Sequence, residues 1–160
     1  MLGGARSGKS RFAEGMAAGA AHRAYIATAE ALDDEMRARI ALHRQRRGEA
    51  WQDVEAPLAL AEAVQHCTSD FVLVDCITIW LSNLMHVDRD VAREVEHLCG
   101  VLAARSGSVV LVSNEVGLGI VPDNALARRF RDAQGLANQR LAAVADEVYL
   151  IAAGLPLRMK

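Results

Sequence analysis

Short, continuously apolar runs alternate along the chain with longer stretches whose apolar positions recur at helical spacing. The clearest short runs are 71–74 and 109–112. Both are apolar at every position, which is typical of strands covered on two faces. Weaker strand patterns occupy 25–28, 51–55, 148–152 and 155–159.

The helical patterns fill most of the intervening chain. Pro57 is expected in the first turn of one helix, where a missing N–H costs nothing. The alternation of strands and helices predicts an α/β fold around a mostly parallel sheet. Helices are predicted at about 9–21, 32–47, from 57 onward, and at 77–86, 89–105 and 124–144.

Composition narrows the class of protein. With 160 residues, 52% hydrophobic and 24% charged, the chain fits one compact domain, 1–160. Its apolar runs are too short for membrane insertion. A net charge of −2 and 4% aromatic residues argue against nucleic acid as a partner. Three widely spaced cysteines and a start without a secretory pattern indicate reduced thiols in a cytoplasmic protein.

The segment 3–10 reads GGARSGKS and satisfies the Walker A pattern in full. Its glycines let successive backbone N–H groups point at phosphate oxygens. We expect Lys9 to reach the β- and γ-phosphates and Ser10 to bind Mg²⁺, beside the favourable dipole of the following helix. The predicted phosphate-binding residues are Gly3, Gly4, Ala5, Arg6, Ser7, Gly8, Lys9 and Ser10.

This loop makes the expected fold a P-loop (RecA-like) three-layer domain. In that fold the phosphate loop follows a buried strand, whereas only Met1 and Leu2 precede Gly3 here. We therefore expect that several apolar residues of the first strand are absent from this sequence.

Acidic residues follow both of the clearest strands. Asp75 ends the pattern of a Walker B strand, so it is expected to hold Mg²⁺; the alternative is a helix cap. Glu115 begins an irregular stretch rich in glycine. It suits metal or substrate binding, and the alternative is a capping or salt-bridge acid. The carboxyl ends of parallel strands are where ligands bind in open α/β sheets.

His43 shares one face of the predicted helix 32–47 with Met36 and Ile40. A histidine on an apolar face is most simply a packed structural residue. The arginines that follow disfavour the imidazolium, which keeps the ring neutral and nucleophilic. They also suit phosphate neutralisation, and a solvated helix end is the alternative interpretation. They are Arg44, Arg46 and Arg47.

Together these stretches resemble the bifunctional adenosylcobinamide kinase/adenosylcobinamide-phosphate guanylyltransferase family of cobalamin biosynthesis. The segment SNEVGLGIVPDN at 113–124 is far more specific than the phosphate loop, which many unrelated proteins share. The other matching stretches are GGARSGKS (3–10), YIATAEALDDEMRARIALH (25–43), WQDVEAP (51–57), VLVDCITIWLSNL (72–84) and NQRLAAVADEVYLIAAGLPLRMK (138–160).

The resemblance implies two reactions. ATP or GTP phosphorylates the aminopropanol hydroxyl of adenosylcobinamide, and GTP then donates GMP through a guanylyl-histidine to give adenosylcobinamide-GDP. The histidine of the family motif aligns with His43. The family's guanine-nucleotide contacts fall on residues 3–10, Ala27, Thr28, Ala29, Arg44, Gln45, Arg46, Arg47, Glu55 and Asp75.

The sequence departs from the family at two points besides the first strand. Family members often have Glu where Asp75 stands. The aspartate side chain is shorter than that of glutamate by one methylene and keeps the charge. Members with a longer segment near 86–90 form trimers, through contacts that a shorter segment would alter. The resemblance therefore implies a homo-oligomer here, with a trimer as the expected form. Two alternative functions fit parts of the sequence: a monofunctional P-loop small-molecule kinase, and a nucleotide-binding regulatory module without transfer activity.

Overall fold

The computed structural model describes residues 1–30 and 50–160. Elements are numbered here along those residues. The strands are β1 (Arg23–Ala27), β2 (Trp51–Glu55), β3 (Phe71–Asp75), β4 (Ser108–Val112), β5 (Tyr149–Ala152) and β6 (Leu155–Arg158). The helices are α1 (Lys9–Gly15), α2 (Leu60–His66), α3 (Ile77–His86), α4 (Val91–Ala104) and α5 (Ala125–Val144).

Four strands form an all-parallel sheet in the order β2-β1-β3-β4, and β5 and β6 form a separate antiparallel hairpin. The register places Ala27 opposite both Glu55 and Asp75, and Asp75 opposite Val112. The last residues of all four parallel strands therefore share one rung. This architecture confirms the predicted α/β P-loop fold with a mostly parallel sheet.

Residues 1–3 run between β4 and β5 and connect the two sheets. Ser113 N donates to Met1 O at 2.9 Å on one side, and Leu2 N donates to Tyr149 O at 2.7 Å on the other. Leu2 also forms a parallel bridge with Leu150. The phosphate loop thus leaves the sheet from a position flanked by strands on both sides.

Alternate residues of the parallel strands divide the core between the two faces of the sheet, as the period of a strand requires. Ile26, Val72 and Val74 face the larger cluster, where Trp80 and other apolar side chains of α2 to α5 pack. The opposite face carries a smaller cluster. It contains Tyr25, Phe71, Leu73, Cys76, Val112, Ala13 and Ala17.

Two predicted helix boundaries are wrong. The first helix ends at Gly15 rather than near 21, because two glycines, Gly15 and Gly19, lie within the expected span. Pro57 does not open a helix, since α2 begins at Leu60. Side chains of α3 hydrogen-bond to the carbonyls that precede α2: Asn83 donates to Pro57 O and Trp80 donates to Leu58 O.

The other described elements agree with the sequence predictions to within about two residues. Strand β4 is less buried than expected, since Val112 is its one fully buried residue. The predicted helix 32–47 lies outside the described residues. None of the helices in the described part of the chain is long and apolar enough to span a membrane.

Arg105 follows α4 and holds the connection between α2 and β3. Its half-buried guanidinium donates to Val64 O at 3.0 Å, Cys67 O at 2.6 Å and Ser69 O at 2.6 Å. A planar cation with several N–H donors is suited to this task, because it satisfies carbonyls that no strand or helix pairs.

Replacing Arg105 with Met should lower the free energy of unfolding by about 2 kcal/mol, because three backbone acceptors lose a charged donor. Urea denaturation measures this. Arg140→Met is the matched control, since the Arg140–Glu96 ion pair is exposed and such pairs contribute little. Equal losses in the two variants would contradict the structural role of Arg105.

Candidate active site

The backbone of the phosphate loop lies against the turn between β5 and β6. Gly154 N donates to Ser7 O at 2.8 Å. A side chain at Gly3 would overlap the carbonyl oxygen of Ile151, and Gly8 has a φ of 100°. Glycine is therefore required at both positions, for close approach at the first and for a left-handed backbone at the second.

Lys9 folds back over the phosphate loop and is only 6% exposed. Its Nζ donates to Gly4 O at 2.7 Å. Burial lowers the pKa of Lys9, and the neighbouring Cys76 and Asp75 oppose that shift. A phosphate anion bound in the loop would add favourable charge around the ammonium, which is the environment that a buried cation requires.

Ser10 and Asp75 meet at the carboxyl end of β3. Ser10 Oγ donates to Asp75 Oδ2 at 2.7 Å. Helix α3 has no side-chain cap hydrogen bond, so the cap interpretation of Asp75 finds no support in the contacts. The pair offers two oxygen ligands of the kind that Mg²⁺ takes from a protein while phosphates and water complete its coordination.

The other predicted nucleotide contacts divide into two groups. Ala27, Ala29 and Glu55 lie with Asp75 at the carboxyl edge of the sheet, and Glu55 is exposed. Thr28 lies there too, with its side chain fully buried. The remaining residues lie outside the described part of the chain: His43, Arg44, Gln45, Arg46 and Arg47.

The 113–122 segment is attached to the phosphate loop by its first residues. Glu115 N donates to Gly3 O at 3.0 Å. The Glu115 carboxylate accepts a hydrogen bond from Gly117 N, so it closes a local turn. The backbone of this segment is therefore part of the site's framework, and its one acidic side chain is engaged within the segment.

A buried network of side chains, which the sequence interpretation missed, supports that attachment. Asn138 Oδ1 accepts from Ser113 Oγ at 2.7 Å and from Gln134 Nε2 at 3.0 Å. Asn138 Nδ2 donates to Asn114 O at 3.2 Å. Gln134 and Asn138 are four residues apart on α5, and polar residues at that spacing beside buried apolar positions were the available signal.

Helix α3 supplies a second set of missed contacts at the ends of the strands. Asn83 Nδ2 donates to Thr28 O at 2.8 Å and to Pro57 O at 3.0 Å. Thr78 Oγ1 accepts from Asn114 N at 2.8 Å. These side chains replace the partners that backbone groups lose where a strand stops.

Comparison of the sequence with known proteins identifies its family. A family model described as cobinamide kinase / cobinamide phosphate guanyltransferase matches residues 1–159. The bifunctional adenosylcobalamin biosynthesis protein CobU of Escherichia coli (strain K12) is 41% identical over 177 aligned positions, covering 100% of this chain and 98% of its own length. CobU of Salmonella typhimurium (strain LT2) gives the same values.

A third relative is the bifunctional adenosylcobalamin biosynthesis protein CobP of Pseudomonas aeruginosa. It is 46% identical over 165 positions, which cover 100% of this chain and 95% of CobP. Each of these alignments is longer than the 160 residues of the chain, so the relatives carry positions with no counterpart here.

Asn138→Leu should destabilise the protein by about 2 kcal/mol or more, because it leaves buried polar partners without hydrogen bonds. Chemical denaturation followed by circular dichroism measures the loss. Gln139→Leu, an amide-to-leucine change at the adjacent exposed position of α5, is the control and should have little effect. A loss in Asn138→Leu no greater than in the control would contradict the proposed importance of the network.

Proposed function

Because the chain belongs to the cobinamide kinase / cobinamide phosphate guanyltransferase family, we propose that its single phosphate loop serves both reactions and that His43 carries GMP between them. The chain is a bifunctional enzyme of cobalamin biosynthesis. The family description names both activities. A monofunctional kinase accounts for one of them only, and a regulatory module for neither.

The kinase reaction joins the terminal phosphoryl group of ATP or GTP to adenosylcobinamide. The hydroxyl oxygen of the aminopropanol arm attacks the γ-phosphorus, the bond to the bridging oxygen breaks, and a nucleoside diphosphate leaves. The hydroxyl proton is released in the same step. Catalysis of such transfers depends mainly on positioning and on stabilising negative charge, which are tasks for Lys9 and the loop backbone.

Guanylyl transfer divides into two displacements. A ring nitrogen of His43 attacks the α-phosphorus of GTP, the α–β bridging bond breaks, and pyrophosphate leaves. A phosphate oxygen of adenosylcobinamide phosphate then attacks the same phosphorus, the P–N bond breaks, and His43 is regenerated. Arg44, Arg46 and Arg47 follow His43 in the sequence and favour a neutral, nucleophilic ring.

The observation that supports the shared site most strongly is the contact between Ser10 Oγ and Asp75 Oδ2 at 2.7 Å, beside the buried Lys9. It joins the phosphate loop to the end of β3 across 65 residues of sequence. We propose that Ser10 and Asp75 hold Mg²⁺. The ion would neutralise phosphate charge, and Lys9 would stabilise the leaving pyrophosphate or diphosphate.

We further propose a homo-oligomer, as the family resemblance implies, in the cytoplasm. Large apolar side chains on the surface support association between copies. Ile120 is 97% exposed and Leu118 is 88% exposed in the 113–122 segment, and Leu155 and Leu157 of β6 are also exposed. The three cysteines, Cys67, Cys76 and Cys99, are free thiols, which agrees with a reducing compartment.

Replacing His43 with Ala should abolish guanylyl transfer and leave kinase activity, because only the second reaction passes through the imidazole. GTP labelled at the α-phosphorus should deposit acid-labile label on the wild-type protein and none on this variant. His97→Ala, at an exposed helical position, is the matched control and should retain the label. Undiminished GMP transfer by His43→Ala would overturn the assignment.

Lys9→Ala should lower both activities by at least about 100-fold, the scale expected when one donor that stabilises developing charge is removed. Steady-state assays of phosphoryl and guanylyl transfer test this. Arg11→Ala, at an exposed position of α1, provides the control. Full activity of Lys9→Ala in either reaction would contradict a shared triphosphate site.

A further inference from the structure

The hydroxyl of Thr28 lies at the junction of β1 and β3 and is fully committed there. Thr28 is 0% exposed. Its Oγ1 donates to Cys76 O at 2.7 Å and accepts from Cys76 N at 2.9 Å. One side-chain hydroxyl therefore satisfies both backbone groups of the residue that follows Asp75.

The backbone of Thr28 makes further contacts in the same place. Thr28 N donates to Asp75 O at 3.3 Å, and Asn83 Nδ2 donates to Thr28 O at 2.8 Å. Thr28 is thus fixed by α3 on one side and holds residues 75 and 76 on the other. The Thr28 hydroxyl has little freedom to move, because χ1 of threonine is restricted.

These contacts restrain the backbone at Asp75 and Cys76. Asp75 is the last residue of β3, so no later rung of the sheet restrains the chain beyond it. Cys76 O also accepts from Trp80 N at 3.2 Å, so it keeps a partner without Thr28 Oγ1. The buried Cys76 N–H donates to Thr28 Oγ1, and without that hydroxyl the chain must rearrange to give the N–H another acceptor. A rearrangement there would move the carboxylate that accepts from Ser10.

We propose that the Thr28 side chain is the positioning group of the Ser10–Asp75 pair and acts on the metal–nucleotide complex through Asp75. The proposal rests on the proposed role of Asp75 in holding Mg²⁺. The proposed role of Thr28 differs from that of Ala27 and Ala29. Both alanines are partly exposed at the same edge and remain available to a ligand. The side chain of Thr28 is not available, since it is buried and its hydroxyl is occupied.

The test measures how much Mg²⁺ strengthens nucleotide binding. The ligand is a GTP analogue with a methylene bridge between the α- and β-phosphorus, which cannot donate GMP. Calorimetry gives its Kd with Mg²⁺ and with EDTA, and the ratio of the two values is the Mg²⁺ effect. Circular dichroism and Tm establish folding independently of binding.

Thr28→Val keeps the shape of the side chain and removes the hydroxyl. We expect it to reduce the Mg²⁺ effect about tenfold, the ratio that corresponds to about 1.4 kcal/mol. Thr28→Ser retains the hydroxyl and should restore the Mg²⁺ effect. If Thr28→Val does not fold, the comparison of Thr28→Ala with Thr28→Ser carries the same test.

Arg105→Met is the control for a loss of stability, because Arg105 holds Cys67 O and Ser69 O before the amino end of β3, at the opposite end of that strand from Asp75. It should lower Tm without changing the Mg²⁺ effect. An equal reduction in Arg105→Met and Thr28→Val would overturn the proposal, since a general loss of stability would then be responsible.

Asp75→Asn separates this inference from the proposed function. If Asp75→Asn removes the Mg²⁺ effect and Thr28→Val retains it in full, the role of Thr28 is refuted and that of Asp75 stands. If Asp75→Asn itself retains the Mg²⁺ effect, the metal assignment fails, and the inference fails with it.

Discussion

Buried backbone groups at the ends of parallel strands must find hydrogen-bond partners after the sheet has stopped supplying them. In the described part of this chain, side chains of Thr28, Thr78, Asn83 and Asn138 meet that need at the carboxyl edge. The same contacts fix the direction of the chain after each strand ends. Stability and the geometry of the site therefore depend on one set of hydrogen bonds.

The phosphate loop is held by a different means, the close approach of backbones. Residues 1–3 pair with the chain on both sides, and the loop rests against the turn after β5. Because Gly3 and Gly8 have no side chains, the loop can lie against that turn. A loop supported in this way can present backbone N–H groups to phosphate without rearrangement, which is the condition for effective electrostatic stabilisation.

An enzyme with two transfer reactions benefits from keeping the triphosphate site constant. In the proposed function, only the attacking atom and the phosphorus under attack change between the reactions. The fixed elements are the loop, Lys9 and the Ser10–Asp75 pair, which lie at the junction of α1 and β3. The 113–122 segment is hydrogen-bonded to the same loop through Glu115 N, so a change in the conformation of that segment would act directly on the phosphate loop.

Most elements of the fold, together with the Walker A loop and the acid at the end of β3, were predictable from the sequence, because hydrophobic period and a specific motif are local properties of the chain. The start of α2 was not, since the side chains of α3 decided it, whereas the end of α1 follows from two glycines that the sequence does show. The strand-end hydrogen bonds were also decided only by tertiary structure. Thr28 and Cys76 are 48 residues apart, and no local pattern records which hydroxyl will meet which peptide group.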